Sequence, residues 1–207
     1  MDITLHHGDL PEGLDLGKLV AIDTETMGLS LTRDRLALVQ LSPGEGIAHL
    51  VKFDVAAPAP YAAPRLVALL ADPAAVKLFH FARFDIAMLE RDLGVRTAPV
   101  WCTKIASRLV RTYTDRHGLK DLCRELLGID LSKQQQSSDW GARKLSDQQL
   151  EYAASDVLFL HDLKSRLEAM LARHGRTALA QACFDFLPTR AALDLAGWAE
   201  EDIFAHS

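Results

Sequence analysis

The sequence predicts one α/β domain, in which a mixed β-sheet is flanked by helices. Two observations predict this class: three strand-like runs come first, and strand-like and helical runs alternate after Pro64. The 207 residues contain no repeat, no low-complexity tract and no Gly/Ser-rich linker. Because this length is also typical of one domain, we expect residues 1–207 to form a single unit.

The first strands are expected in three apolar runs, at residues 18–23, 35–42 and 47–53. Turn-forming residues lie between them, at Met27-Gly28 and at residues 43–46. A parallel pair needs a crossover connection of about a dozen residues or more, and these connections are shorter. The pattern therefore favours an antiparallel meander, with parallel strands following where helices intervene.

Strand-like and helical runs alternate in the central part of the chain. The expected helices are at residues 65–71, 85–93, 103–111 and 119–127, and the expected strands are at 76–81 and near 100–101. Ser146 and Gln149 have the spacing of a capping box, in which each side chain bonds the other residue's free backbone N–H. This box predicts the start of one long helix, whose apolar stripe runs from Ala153 to Met170.

The C-terminal tail, residues 184–207, is unusually apolar for a chain end, although Pro188 and Gly197 interrupt it. Chain ends are normally polar and frayed. Two interpretations stay open: the tail packs on its own domain, or it contacts a neighbouring subunit.

The composition limits the class of protein. No run approaches the roughly 20 apolar residues that cross a bilayer, and the N-terminus lacks a signal-peptide pattern, so we expect a cytoplasmic protein. The three cysteines form no C-x-x-C pair, which argues against a zinc site or a disulfide framework. The net charge of −5 indicates a small substrate rather than long nucleic acid, whose binding usually needs a basic excess.

Two carboxylates stand side by side where the first strand ends. Strand alternation places Asp23 and Glu25 on one face and Thr24 on the other. Two close carboxylates repel each other unless a cation lies between them, and hard oxygen ligands suit Mg²⁺ or Mn²⁺. This pair alone is a weak signal, because Asp-x-Glu is common at strand ends.

Three further residues complete the candidate set. Tyr152 and Asp156 are four residues apart on the long predicted helix, so they share a face. Asp85 follows the strand expected at residues 76–81. Each has an ordinary alternative: a core aromatic for Tyr152, a solvated charge for Asp156 and a helix cap for Asp85.

The ordered combination of these residues resembles the DEDDy branch of the 3′–5′ exonucleases. Its three motifs match Asp23-x-Glu25, His80-Phe-Ala-Arg-Phe-Asp85 and Tyr152-x-x-x-Asp156, and the likeness to ribonuclease D covers about residues 18–172. A more specific resemblance is to the single-domain nano-RNases of the NrnC family. It rests on residues 34–35, 79–85, 103–107, 111–120, 132–140 and 202–207.

The resemblance implies a ribonuclease H-like fold and removal of nucleotides from the 3′ ends of very short RNA, especially dinucleotides. It also implies two divalent cations, Mg²⁺ or Mn²⁺, and a ring-shaped homo-octamer. Asp23, Glu25 and Asp156 would bind the first cation, with Asp23 bridging to a second that Asp85 holds directly or through water. Tyr152 would orient the attacking water, since a phenol with a pKa of about 10 is a poor base at neutral pH.

The sequence also contains candidates for substrate binding. Leu29 matches the family's apolar wedge, although it could be an ordinary turn residue. The loop Lys133-Gln134-Gln135-Gln136-Ser137-Ser138 offers donors for phosphates and base edges, or is simply a polar surface loop. His80 and Trp140 each have two interpretations: His80 lies near the site or is a strand residue, and Trp140 lines the cleft or belongs to the core. Arg111 and Arg116 are further candidates for the 5′ end of the substrate.

Three functions compete at this point. The first is a dinucleotide-directed exoribonuclease, and the second is a broader ribonuclease D-like exonuclease that acts on RNA precursors or DNA 3′ ends. The third is a nucleic-acid-binding scaffold without activity. The complete set of four acids and Tyr152 argues against the scaffold, and the motifs do not separate the first two.

Overall fold

The computed structural model describes residues 1–132, 135 and 137–206. Its centre is a six-stranded mixed sheet in the order β1-β4-β3-β2-β5-β6. The strands are β1 (Asp2–His7), β2 (Leu19–Thr26), β3 (Leu36–Gly44), β4 (Ile47–Lys52), β5 (Val76–Phe79) and β6 (Val100–Cys102). The predicted α/β class with a mixed, helix-flanked sheet is confirmed.

The strand pairing follows the predicted order, with one addition. β2, β3 and β4 form the expected antiparallel meander, and β5 and β6 extend the sheet in parallel beyond β2. The addition is β1, which pairs with β4 in parallel. We did not predict it because this edge strand is half-exposed, so it lacks the apolar run of a buried strand.

The helices pack on both faces of this sheet. They are α1 (Pro64–Ala71), α2 (Ala82–Leu93), α3 (Thr103–Val110), α4 (Leu119–Leu122), α5 (Asp147–Leu158), α6 (Leu160–Arg173) and α7 (Thr177–Leu193). A π-helical turn extends α4 over Cys123–Leu127, and another extends α7 over Asp194–Trp198. Helix α2 begins three residues earlier than expected, so that Asp85 lies inside its first turn rather than at its cap.

The single long helix expected after Ser146 is wrong, because the structure divides it into α5 and α6 at Phe159. The capping box itself is confirmed: the Gln149 N–H donates to Ser146 Oγ at 3.2 Å, and the Ser146 N–H donates to Gln149 Oε1 at 3.0 Å. The break was hidden because the buried stripe continues across it, with Val157 on α5 and Leu160 on α6 both fully buried.

Helices α5 and α2 cover opposite faces of the meander. Trp140, Leu145 and Ala153 pack with β3 and β4 residues in a small cluster on the α5 side. The larger core includes Ile86 and Leu89 of α2. The end of β2, which carries Asp23 and Glu25, is therefore enclosed by helices from both sides.

The apolar C-terminal tail is partly buried in the domain. Phe184 and Leu187 of α7 are buried, and the Phe184 ring contacts Trp101 at a centroid distance of 5.0 Å. Trp198 and Phe204 are exposed, so contact with a neighbouring subunit stays a prediction for the last residues. Among the helices of the described ranges, none has the length and apolar character needed to span a lipid bilayer.

Candidate active site

Three of the predicted acids meet at one point. Asp23, Glu25 and Asp156 each offer a carboxylate oxygen, and these oxygens all lie within 4.8 Å of one another. Alternation along β2 directs the first two residues toward α5, and Asp156 lies on the third turn of that helix. Within the part of the chain that the structure describes, no Lys or Arg forms an ion pair with these acids.

Asp85 approaches the same region from the other face of β2. Its carboxylate is 4% exposed and accepts a hydrogen bond of 2.6 Å from the Thr24 hydroxyl. Asp85 is not part of the three-acid cluster found among the described residues, but its charge is close enough to raise the pKa of both Asp23 and Glu25. Asp85 therefore lies beside the cluster and is held there by Thr24.

Burial and mutual repulsion disfavour the ionised form of all four acids. Burial, followed by the charges of Asp156 and Asp85, raises the pKa of Glu25 to about 9. Burial raises the pKa of Asp85 and that of Asp156 to about 7. The pKa of Asp23 is raised well above its ordinary value, by burial first and then by the other three carboxylates. Such a set of oxygen donors with unbalanced negative charge fits a hard divalent cation.

Tyr152 stands next to the cluster, one helical turn before Asp156. The interaction of its hydroxyl with the Asp156 carboxylate lowers the pKa of that carboxyl group against the effect of burial. Burial and the charges of Asp156, Glu25 and Asp23 raise the pKa of Tyr152 above its ordinary value. The phenol consequently stays protonated and serves as a hydrogen-bond donor.

Trp140 does not line the cleft, which corrects one of our interpretations. The side chain is 2% exposed and packs in the small core cluster on the α5 side. Its ring lies behind Tyr152, with a centroid distance of 6.1 Å, and its carbonyl accepts a 3.2 Å hydrogen bond from Lys52 Nζ. Trp140 thus packs in the core next to Tyr152.

Gln40 is a site residue that our reading of the sequence missed. It faces Asp23 across the β2–β3 pair, and its Nε2 donates to Asp23 Oδ2 at 3.4 Å. The side chain is fully buried. The available signal was a polar residue in the middle of an apolar strand run, since such a residue needs a partner on the neighbouring strand.

Leu29 is 84% exposed and is presented by a tightly bonded loop between β2 and β3. The Ser30 N–H donates to Asp34 Oδ2 at 2.9 Å, and Arg91 of α2 donates to the carbonyls of Leu31 and Asp34. A Cβ atom at Gly28 would lie 2.3 Å from Asp34 Oδ2, so this close approach requires glycine. The loop therefore holds an exposed apolar side chain in a defined place.

His80 is held beside the next strand and is not part of the acid cluster. Its Nδ1 shares a hydrogen bond of 2.8 Å with the Thr103 hydroxyl. Burial and the charge of Lys104 lower the pKa of His80 to about 3, so the ring is neutral at physiological pH.

The candidate loop before Trp140 is described only in part, because Lys133, Gln134 and Gln136 lie outside the described residues. Gln135 accepts a 2.7 Å hydrogen bond from the Ser138 hydroxyl, and Ser137 is exposed.

Arg111 was a wrong candidate for substrate contact. It is fully buried and donates to the Glu125 carboxylate, to Ser107 Oγ and to the Arg116 carbonyl. Arg116 is exposed, so its side chain is accessible. The sequence could not show that Arg111 is buried, because its ion-pair partner Glu125 lies 14 residues away along the chain.

Comparison with known proteins assigns this site to a family. Residues 9–172 match the family described as 3′–5′ exonuclease. The chain belongs to this 3′–5′ exonuclease family. Brucella melitensis NrnC with bound Mg²⁺ is 56% identical, with a TM-score of 0.95 and coverage of 100% of both chains. The structure of Brucella melitensis NrnC bound to pGG is 57% identical, with the same TM-score and coverage.

The chain is also similar in sequence to ribonuclease D. Ribonuclease D of Acidiphilium cryptum (strain JF-5) is 37% identical over 157 residues, which make up 76% of this chain and 39% of the relative. This chain thus corresponds to about two-fifths of that protein's length. The recognition of a ribonuclease D and NrnC type of 3′–5′ exonuclease is confirmed.

Proposed function

We propose that the exonuclease releases nucleoside 5′-monophosphates from the 3′ ends of short oligoribonucleotides and prefers dinucleotides. The observation that carries this proposal is the cluster of Asp23, Glu25 and Asp156, whose carboxylate oxygens lie within 4.8 Å of one another beside Tyr152. The likeness to NrnC with Mg²⁺ and with pGG over the full length of both chains supports it.

Two divalent cations, Mg²⁺ or Mn²⁺, complete the proposed site. Asp23, Glu25 and Asp156 would hold one cation, and Asp23 together with Asp85 would hold the second. When bound, such a pair of ions makes water a better nucleophile and stabilises the negative charge that develops on the phosphoryl group. The crowded, unpaired carboxylates fit this role, because the cations would offset their repulsion.

The chain's own residues orient the reactants. The protonated Tyr152 hydroxyl lies at the cluster and would align the attacking water on the scissile phosphorus, while Gln40 fixes one oxygen of Asp23. The water oxygen forms a new bond to phosphorus and the bond from phosphorus to the 3′ oxygen breaks. The 3′ oxygen leaves with a proton, and the terminal residue departs as a nucleoside 5′-monophosphate.

Substrate length separates this proposal from its rival, a broader ribonuclease D-like exonuclease on RNA precursors or DNA 3′ ends. The net charge of −5 agrees with a small substrate, since long nucleic acids are usually bound by a basic surface. The test is a series of 5′-labelled RNA from two to about ten nucleotides, with matched DNA, in Mg²⁺ and in Mn²⁺. We expect the dinucleotide to react fastest, whereas equal rates at all lengths would favour the rival.

A ring-shaped octamer and a cytoplasmic location complete the proposal. The exposed apolar side chains of Trp198, Ile203 and Phe204 would suit a subunit interface. Light scattering of the full chain and of a chain truncated after Pro188 tests this assembly, and a monomeric full-length protein would contradict it.

A further inference from the structure

Phe81, four residues before Asp85, combines an exposed side chain with a strained backbone. The residue is 47% exposed, although Phe79 and Ala82 on either side of it in the chain are fully buried. Its backbone is left-handed, with φ of 67°. This conformation is unfavourable for a bulky residue, and such strain tends to be kept where a side chain must point in a particular direction.

Lys104 fixes one face of the Phe81 ring. The Lys104 Nζ atom lies 3.9 Å from the ring centroid, which is the geometry of a cation–π contact. No carboxylate within the described ranges forms an ion pair with Lys104. With Lys104 over one face and about half of the residue exposed, the ring still offers accessible π surface.

The sheet places this pair close to the acids. Asp23 on β2 and His80 after β5 both lie two residues beyond the paired Ala21 and Leu78. His80 in turn contacts Thr103, which precedes Lys104. Two strand spacings of about 4.8 Å therefore separate the β2 and β6 ends, which puts the backbone of Thr103, the residue before Lys104, roughly 10 Å from that of Asp23. That separation is within the span of a dinucleotide whose scissile phosphate lies at the acids.

We propose that the Phe81 ring is the stacking platform for the base on the 5′ side of the scissile phosphate, and that Lys104 is the positioning residue that holds this ring. This inference rests on the proposed exoribonuclease function and adds a second base site to it. An aromatic face accepts every base, because stacking uses the π surface and not base-specific hydrogen bonds. The site would therefore bind the second nucleotide of a short RNA without selecting its sequence.

The test uses three substrates that differ only on the 5′ side of the scissile bond. They are a diribonucleotide, the same molecule with an abasic 5′ residue, and the 4-nitrophenyl ester of uridine 5′-monophosphate, which has no second nucleotide. The variants are Phe81→Asn, which tolerates a left-handed backbone but lacks the ring, Phe81→Tyr, which keeps the ring, and Lys104→Met. Lys18→Met is the matched control, because Lys18 is exposed and lies before the opposite end of β2.

We expect the ratio of kcat/KM for the diribonucleotide to that for the abasic analogue to fall at least about fivefold in Phe81→Asn, mainly through KM. Lys104→Met should lower this ratio about threefold, and Phe81→Tyr and Lys18→Met should keep the wild-type ratio. Equal losses of kcat/KM on the diribonucleotide and on its abasic analogue in Phe81→Asn would overturn the stacking role. A loss of kcat/KM that accompanies a smaller particle size in light scattering would overturn it as well. If the folded wild type cleaves none of the three substrates with Mg²⁺ or Mn²⁺, the proposed exoribonuclease function itself fails.

Discussion

Thr24 and Asp85 join the two faces of strand β2 at the active site. The Thr24 hydroxyl donates to Asp85 Oδ1 at 2.6 Å, and this hydrogen bond lowers the pKa of Asp85 against the effect of burial. Thr24 lies between Asp23 and Glu25 in the sequence but points away from both. One short segment of β2 thus supplies two carboxylates to one face and fixes a third carboxylate from the other.

This contact predicts the effect of Thr24→Val. Without the hydroxyl, the buried Asp85 loses a charge-assisted hydrogen bond worth about 1.5 kcal/mol or more, and its pKa rises further. We expect the Mg²⁺ concentration for half-maximal activity to increase roughly fivefold or more. Thr24→Ser, which keeps the donor, should restore the wild-type titration. An unchanged Mg²⁺ dependence in Thr24→Val would show that Asp85 does not act at the cation site.

The raised pKa values predict how pH affects the stability of the metal-free protein. The pKa of Glu25 is about 9 and that of Asp85 and Asp156 about 7 in the folded chain, above their ordinary values. The folded state therefore binds more protons than the unfolded state, so these groups stabilise the fold at low pH. That contribution is full only below the ordinary carboxyl pKa of about 4. It falls as pH rises, and it is gone above about 7 for Asp85 and Asp156 and above about 9 for Glu25.

Thermal unfolding in EDTA between pH 6.5 and 9 tests whether the stability of the metal-free protein falls with rising pH. Wild-type Tm should fall with rising pH more steeply than the Tm of Glu25→Gln, in which one titrating group is removed. Added Mg²⁺ should raise Tm more at pH 9 than at pH 6.5, because ligands must lose their protons to bind the cation. A parallel pH dependence in both proteins would refute the raised pKa of Glu25.

Asp23→Asn should separate activity from stability. The substitution removes one charge from a crowded group and keeps the size of the side chain, so the fold should be retained and the metal-free Tm should not fall. Turnover should drop by a factor of about 10³ or more, because the proposed bridging ligand is lost. Rates on a diribonucleotide and unfolding in EDTA are the two measurements. Activity like that of the wild type would exclude Asp23 from the catalytic site.

Tyr152→Phe tests whether the phenol orients water or removes its proton. Loss of one positioned donor should lower kcat about 100-fold with little change in KM. Because the pKa of Tyr152 is raised by burial and by the neighbouring acids, wild type and variant should show the same pH profile up to pH 9. A basic limb present only in the wild type would indicate that the tyrosinate acts as a base.

The main features of the site were predictable from the sequence because they depend on local periodicity. Alternation along β2 aligns Asp23 with Glu25, and the helical spacing aligns Tyr152 with Asp156, whatever the rest of the fold does. Trp140 could not be placed in this way, since its burial depends on how the loop before α5 packs against β3 and β4.

The strands and helices were likewise predictable where local periodicity marks them. The meander has clear apolar runs and short turns, so its three strands were predicted and observed. The break at Phe159 preserves the buried stripe from α5 to α6 and leaves no signal in the apolar pattern. Edge strand β1 pairs with β4 and has only two apolar residues, Ile3 and Leu5, so its own pattern is a weak strand signal.

The loop that carries Leu29 gives the last prediction. Asp34 accepts the Ser30 N–H and lies against Gly28, so it determines where the exposed Leu29 side chain stands. If Leu29 contacts substrate as expected from the resemblance, Asp34→Ala should free the loop and raise KM for a diribonucleotide about three- to tenfold, since the Leu29 side chain must then be ordered at each encounter. The value of kcat should change less, because the acid cluster is not touched.

A matched control and a double variant make this prediction specific. Asp54→Ala removes a similar aspartate, which caps the Ala56 N–H in an exposed turn after β4, and should leave KM unchanged. If Asp34 acts through Leu29, the double variant Asp34→Ala/Leu29→Ala should have nearly the KM of Leu29→Ala alone, because residues that act as a unit are not additive. Additive increases in KM would mean that Asp34 affects the substrate by a separate route.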